Sequence, residues 1–306
     1  MDYILTTDSL TKQYKNVKAV DSVNLHVKKG DIYGFIGRNG AGKTTTLKIL
    51  SGLSHATSGD FCIFGMNSSL MRSRNMFSRI GILIEEPGLY GDMSAYDNLK
   101  MKCLCSGIKD KEYISKLLYM VGLGNVGKRH TKTYSMGMKQ RLGIAMALVG
   151  NPEILILDEP INGLDPQGIA EIRKTLLYLN REQGKTIIIS SHILEELSKI
   201  ATHYGIINNG RLVAELTPDE LSAKCESRIV IKIYDVNSAA RLLHSINIHK
   251  FNIADQNTIH IYEHIEDSSQ INMALCKADV FVSSLWIEQA GLEEFFFNMT
   301  GGADNA

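Results

Sequence analysis

The chain lacks any apolar run long enough to cross a bilayer. Segments such as Ile154–Leu157 fall far short of the roughly 18 residues a span needs. The opening "MDYILTTDSL" has no basic region followed by an apolar stretch and a small-residue cleavage site, so no signal peptide is expected. Cysteine is sparse and odd in number: Cys62, Cys103, Cys105, Cys225 and Cys276, with no C-x-x-C pair. That pattern excludes a disulfide framework and leads us to expect free thiols in a reducing cytoplasm, with Cys103 and Cys105 as a metal pair the weaker alternative. No excess of one charge exists either, since Lys+Arg and Asp+Glu number 33 each. A neutral balance argues against a general electrostatic nucleic-acid binder. Tandem repeats and low-complexity stretches are also missing.

What is present is an ordinary globular composition, 44% hydrophobic and 22% charged over 306 residues, enough for one large or two smaller domains. The neutral total hides an asymmetry. From Glu226 to Ala306 there are 5 basic and 11 acidic residues, leaving 28 and 22 before it. We therefore expect two domains, 1–222 and 223–306, with anion binding in the first.

Val23, Leu25 and Val27 alternate with polar residues and predict a half-buried strand. From about residue 140 the chain alternates helices with continuous apolar runs, "ILILD" at 154–158 and "TIIISS" at 186–191, which predicts a parallel sheet buried on both faces. "IINNGRLVAEL" predicts a hairpin turning at Asn209-Gly210. In "TPDEL", Thr217 reads as a helix cap, Pro218 as the first helical residue and Glu220 as the reciprocal partner. After Ser227 the order becomes β-α-β-β-α-β-α, with strands near 228–234, 247–253, 258–262 and 279–287 and helices near 236–245 and 267–276. That is the order of a small ferredoxin-like α+β unit.

The most informative stretch is "GRNGAGKTT", Gly37 to Thr45, between a short apolar strand and a helix. Backbone N–H groups of Arg38, Asn39, Gly40, Ala41 and Gly42 can wrap phosphates, the glycines permit close approach, and the helix points its positive end at the anion. Lys43 should reach the β- and γ-phosphates, Thr44 should ligate Mg²⁺, and Thr45 completes the loop. A nucleoside triphosphate site follows. "ILILDEP" delivers Asp158 and Glu159 to the C-terminal edge of its strand, the edge where ligands of open α/β sheets bind. Gly37 and His192 fall on the same edge. Asp158 suits a metal, Glu159 suits polarisation of the attacking water, and His192 suits contact with the γ-phosphate.

"YSMGMKQRLGIAMA", from Tyr134, places a Ser-x-Gly turn at a helix start. It resembles the signature motif of ATP-binding-cassette (ABC) ATPases, L-S-G-G-Q: Ser135 and Gly137 match, while Tyr134, Met136 and Met138 depart. In that family the two retained residues bind the γ-phosphate of ATP held by the opposite subunit. Tyr14 resembles the aromatic that stacks on adenine, and "NGLDP" at 162–166 resembles the loop whose aspartate, Asp165, contacts the partner subunit. The resemblance spans Leu5 to about Leu221. It implies an α/β fold in which a P-loop NTPase parallel-sheet core carries antiparallel β and helical subdomains, followed here by the ferredoxin-like domain.

One departure is informative. Where the family usually has a metal-ligating Gln, "GILIEEPGLY" has Glu85, and this resembles the lantibiotic-immunity and bacitracin-type exporters. The closing "LEEFFFNMTGG" resembles the same group. The resemblance thus implies the ATP-hydrolysing subunit of an exporter that expels an antimicrobial peptide. It would work as a dimer around two Mg·ATP, on the cytoplasmic face of the membrane beside separate permease subunits. Thr44, Glu85 and Asp158 would be the metal ligands. Export of another drug, lipid or polysaccharide is the alternative; an ATPase acting on ribosomes or DNA is the remoter one, because the chain has one cassette and no long coiled-coil insertion. Met120, Met136, Met138 and Met146 read as packing rather than a soft-metal site. His260 and His264 could share one strand face but read first as a solvated face, and Phe295–Phe297 read as an anchor for the last helix, with lipid contact the weaker alternative.

Overall fold

The computed structural model describes residues 3–225, 227–289, 295, 296 and 299. The chain divides into two compact units, Met1–Pro218 and Asp219–Ala306, a division slightly earlier than the 222/223 boundary expected from charge and pattern.

In the first unit the apolar runs form a six-stranded sheet. From edge to edge its strands are Arg211–Leu216, His203–Asn208, Ile32–Ile36, Thr186–Ser191, Ile154–Leu157 and Ile80–Leu83. All neighbours are parallel except the first pair. Every residue of the three central strands is buried, as expected of a parallel sheet covered on both faces. The edge pair is a hairpin, and its turn residues Asn209 and Gly210 both take positive φ, 47° and 78°, which a type I′ turn requires.

A second, antiparallel sheet is built on the long strand Tyr3–Tyr14, which pairs with Val17–Val23, His26–Lys28 and Ser58–Ile63. The alternation Val23, Leu25, Val27 is therefore split between two strands, with Leu25 in the break between them. The break has a local cause: the Thr7 hydroxyl donates to Val23 O and accepts the Leu25 N–H, each at 2.7 Å, so a side chain takes two of the bonds at the break while Thr7 N donates to Leu25 O at 3.0 Å. A shared apolar core including Leu5, Leu10, Val20, Phe35, Leu47 and Ile63 joins this sheet to the parallel one and to the helix Lys43–Leu50. Helices Ala95–Cys105, Lys111–Met120 and Met136–Ala147 pack on one another as a helical subdomain. Each begins at a side-chain cap, Ser94, Asp110 and Ser135 respectively, which satisfies N–H groups the first turn leaves unpaired.

The second unit contains Ser227–Ile233, Val236–Ser245, Phe251–Asp255, Thr258–Ile261, Ser268–Lys277 and Val282–Gln289 in β-α-β-β-α-β order. Its antiparallel sheet places the strands, numbered within the unit, in the order 2-3-1-4, and a core of Ile229, Ile231, Leu243, Ile259 and Leu275 lies within it. The second strand begins four residues later than 247. Asn247, at φ 61°, and the bond from Ile248 N to Leu243 O end the preceding helix, so residues 247–250 are consumed by a helix stop. His264 is not on the His260 strand; it precedes a short turn and pairs with Asp267 at 3.3 Å. Phe297 and most of "LEEFFFNMTGG" lie outside the described residues. Among the described residues no helix is long and apolar enough to cross a membrane. No cluster of three or more His, Cys, Asp and Glu suited to a metal occurs among them either.

Candidate nucleotide site

Register explains why distant residues meet. Ile36 pairs with Ser191 and Leu157 with Ile189, so Gly37, Asp158, Glu159 and His192 leave three adjacent strands at one edge. The loop after Ile36 turns into the helix Lys43–Leu50, whose cap position is Gly42, with no side-chain cap. Its first-turn N–H groups therefore remain available to an anion. Gly42 sits at φ 108°, and a Cβ there would lie 2.4 Å from Ala19 O, so only glycine fits. Gly37 is constrained from the other side, since a Cβ would lie 2.7 Å from Ile207. The hairpin turn braces the loop further: Gly210 N donates to Ala41 O at 2.9 Å and Asp21 N donates to Gly210 O at 2.8 Å. Arg38, Asn39 and Gly40 are exposed, while Thr44 and Thr45 are half-buried.

Lys43 is 5% exposed. Its ammonium donates to Gly37 O at 2.6 Å and Arg38 O at 3.3 Å and pairs with Glu159 at 3.1 Å. Thr44 Oγ1 donates to Asp158 Oδ2 at 2.7 Å. His192 Nδ1 lies 2.9 Å from the other Glu159 oxygen. The His192 partner in this structure is thus the carboxylate beside it. Glu159 itself takes φ 48°, a left-handed conformation that non-glycine residues adopt at a cost and that recurs at functional sites.

Sequence reasoning missed Ser190. Buried at 0% exposure, it donates to Asp158 Oδ1 at 2.5 Å and accepts the Glu159 N–H at 2.9 Å. One hydroxyl so fixes both acidic residues. The signal was faint: the first of two serines closing "TIIISS", at the level of Asp158.

The structure keeps the other predicted residues away from that cluster or gives them local partners. Ser135 is exposed and caps its helix through Met138 N at 3.3 Å. Gly137 has no left-handed φ, and a Cβ there would meet only Gly168 Cα at 3.7 Å and Leu164 at 3.9 Å. Asp165 caps the helix Pro166–Arg181 by accepting Gly168 N at 3.1 Å. Tyr14, at the end of its strand, is 50% exposed, with Lys12 Nζ 5.1 Å from the ring centroid. Glu85 pairs with Lys48 at 2.5 Å; this hydrogen bond, opposed by desolvation, holds the Lys48 ammonium above the usual lysine range. Cys103 is buried and Cys105 exposed, which leaves no support for a metal pair.

The donor set of Thr44 and Asp158 is all oxygen, hard and partly anionic, and so fits a small divalent cation such as Mg²⁺.

The ABC transporter family pattern matches residues 20–162. The bacitracin transport ATP-binding protein BcrA of Bacillus licheniformis is 41% identical over 303 residues, 99% of each chain. The lantibiotic transport ATP-binding protein SrtF of Streptococcus pyogenes is 45% identical over 212 residues, 69% of this chain and 90% of its own. Among solved structures, cbiO1 from Clostridium perfringens, part of an ABC transporter complex, aligns with TM-score 0.66 at 29% identity, covering 73% of this chain and 92% of its own. The ATP-binding cassette MJ0796, dimeric and bound to ADP and Pi in a post-hydrolysis state, aligns with TM-score 0.64 at 25% identity, covering 70% and 98%.

Proposed function

Because the chain belongs to the ABC transporter ATP-binding family and is an ATP-hydrolysing transport subunit, we propose that it powers the export of an antimicrobial peptide. It acts on the cytoplasmic face of the membrane, docked on separate permease subunits. The observation that carries the cargo reading is full-length likeness to a bacitracin transport protein, joined by Glu85 in the loop after Leu83.

Two copies face each other head to tail, and each ATP lies between one P-loop and the partner's signature turn. Gly137 supports this reading. Nothing among the described residues demands a glycine there, so its missing side chain leaves room for something that approaches from outside. Ser135 and the first-turn N–H groups of its helix then meet the γ-phosphate, Asp165 lies at the same interface, and Tyr14 stacks on adenine.

Within one site, Lys43 exchanges its carbonyl and Glu159 partners for the β- and γ-phosphates. Glu159, released from Lys43 and held by His192 and its own backbone N–H bond to Ser190, orients the attacking water and receives its proton. Thr44, Asp158 and Glu85 hold Mg²⁺, which supplies charge neutralisation on the phosphate oxygens.

The test is to express the chain with the permeases encoded beside it in a peptide-sensitive host and measure growth against bacitracin and a lantibiotic. Tolerance that rises with the wild type and disappears with Glu159→Gln supports the reading. Unaltered sensitivity to such peptides, with active ATP hydrolysis, would overturn the cargo assignment.

A further inference from the structure

Lys48 lies on the P-loop helix four residues beyond Thr44, so the two share a helix face. Its ammonium is 2.5 Å from Glu85 Oε1 and also feels the negative charge of Asp158. The pair is open to solvent, with Lys48 34% and Glu85 66% exposed. An ion pair of that kind contributes little to folding and is easily broken. Glu85 meanwhile holds φ 65°, so its loop is set in an uncommon conformation that fixes where the carboxylate starts.

As a metal ligand, a carboxylate at position 85 would add a third negative charge to a site that already has Asp158 and Glu159. Before any metal arrives, that charge already has a cation beside it. The neutral amide that the family usually carries here offers a lysine no such ion pair.

We propose that Lys48 is a positioning residue that parks the Glu85 carboxylate on the P-loop helix, so that a divalent cation at Thr44 and Asp158 has to take Glu85 from Lys48. This rests on the reading of Glu85 as a metal ligand. Residue 85 thereby becomes a ligand that changes partner with the state of the site.

The test uses the full chain with Glu159→Gln and ATP, titrated with Mn²⁺ and followed by the electron paramagnetic resonance signal of free Mn²⁺. Lys48→Met should tighten Mn²⁺ binding by about two- to fivefold, the range open to an exposed ion pair, and Lys48→Arg should leave it near the parent value. Removing a positive charge favours a cation in any case, so the decisive comparison is made with Glu85→Ala. That change should weaken Mn²⁺ binding, and in its presence Lys48→Met should give a smaller gain. Lys48→Gln serves as a second neutral variant, and thermal unfolding should show both variants folded. If Glu85→Ala leaves Mn²⁺ affinity unchanged, the ligand reading fails and the parking role fails with it. If Glu85→Ala weakens binding while the gain from Lys48→Met is equal with and without Glu85, the parking role alone is overturned.

Discussion

The Ser190 hydroxyl stands 2.5 Å from Asp158 Oδ1, and the same oxygen accepts the backbone N–H of Glu159. Asp158, proposed for metal binding, and Glu159, proposed for water activation, are therefore aligned by one buried side chain. Ser190→Ala should lower kcat by about ten- to a hundredfold, the usual cost of losing a hydrogen bond that orients a metal-binding carboxylate. It should also cost about 1–3 kcal/mol of stability, because the Glu159 N–H loses its acceptor. ATP affinity, set mainly by the P-loop, should change little. Steady-state kinetics and urea unfolding check both effects; unchanged kcat in a folded variant would remove Ser190 from the catalytic arrangement.

Glu159→Gln should keep Lys43, Thr44 and Asp158 able to bind nucleotide while depriving the attacking water of its base. Hydrolysis should fall by about 10²- to 10⁴-fold, and the ATP-bound protein should accumulate as a dimer in analytical ultracentrifugation. A variant that binds ATP yet remains monomeric contradicts the composite site. One that hydrolyses at the wild-type rate contradicts the role of Glu159.

Gly137 allows a test in which folding and function move in opposite directions. The cavity around it accommodates a Cβ at ordinary contact distances, and alanine suits a helix better than glycine by up to about 1 kcal/mol. Gly137→Ala should therefore leave the melting temperature unchanged or raised and nucleotide binding by the monomer intact. ATPase activity should nevertheless fall, because in the proposed dimer the added methyl group would face the phosphate held by the other copy. Full activity with raised stability would place that phosphate elsewhere.

Residues whose backbone needs are unusual were legible in the sequence. The P-loop glycines, the apolar strands ending at Gly37, Asp158 and His192, and the Asn209-Gly210 turn each leave a compositional mark that only one local structure explains. Ser190 left only a faint one, since its meaning comes from the register of Thr186–Ser191 against Ile154–Leu157, which is a long-range property. Lys48 was hidden for a similar reason. A charged residue on an amphipathic helix reads as a solvated face until the loop that brings Glu85 to it is in place. The strand at 247–253 was misplaced because helix termination uses backbone bonds, from Ile248 N to Leu243 O, that apolar patterning does not report.

Glu85 gives the last prediction, and it concerns the assembled transporter. In the isolated chain the carboxylate is mostly exposed and tied to the P-loop helix through Lys48, while the residues that follow, "PGLYGDMSAYDNL", lead into the helical subdomain. Tyr90, 58% exposed, and Tyr96 lie on that segment and suit contact with a permease helix. A residue joining the nucleotide site to this segment should matter more for transport than for binding. Glu85→Ala should reduce the peptide tolerance of cells carrying the complete transporter while ATP affinity of the purified subunit changes by less than about threefold, since the phosphate contacts of Lys43 and the P-loop persist. Glu85→Gln should be milder, because the amide keeps an oxygen at the same reach. The paired measurements are growth against the peptide and nucleotide titration of the purified protein. Undiminished tolerance in the alanine variant would break the link between Glu85 and transport, whatever its effect on the metal.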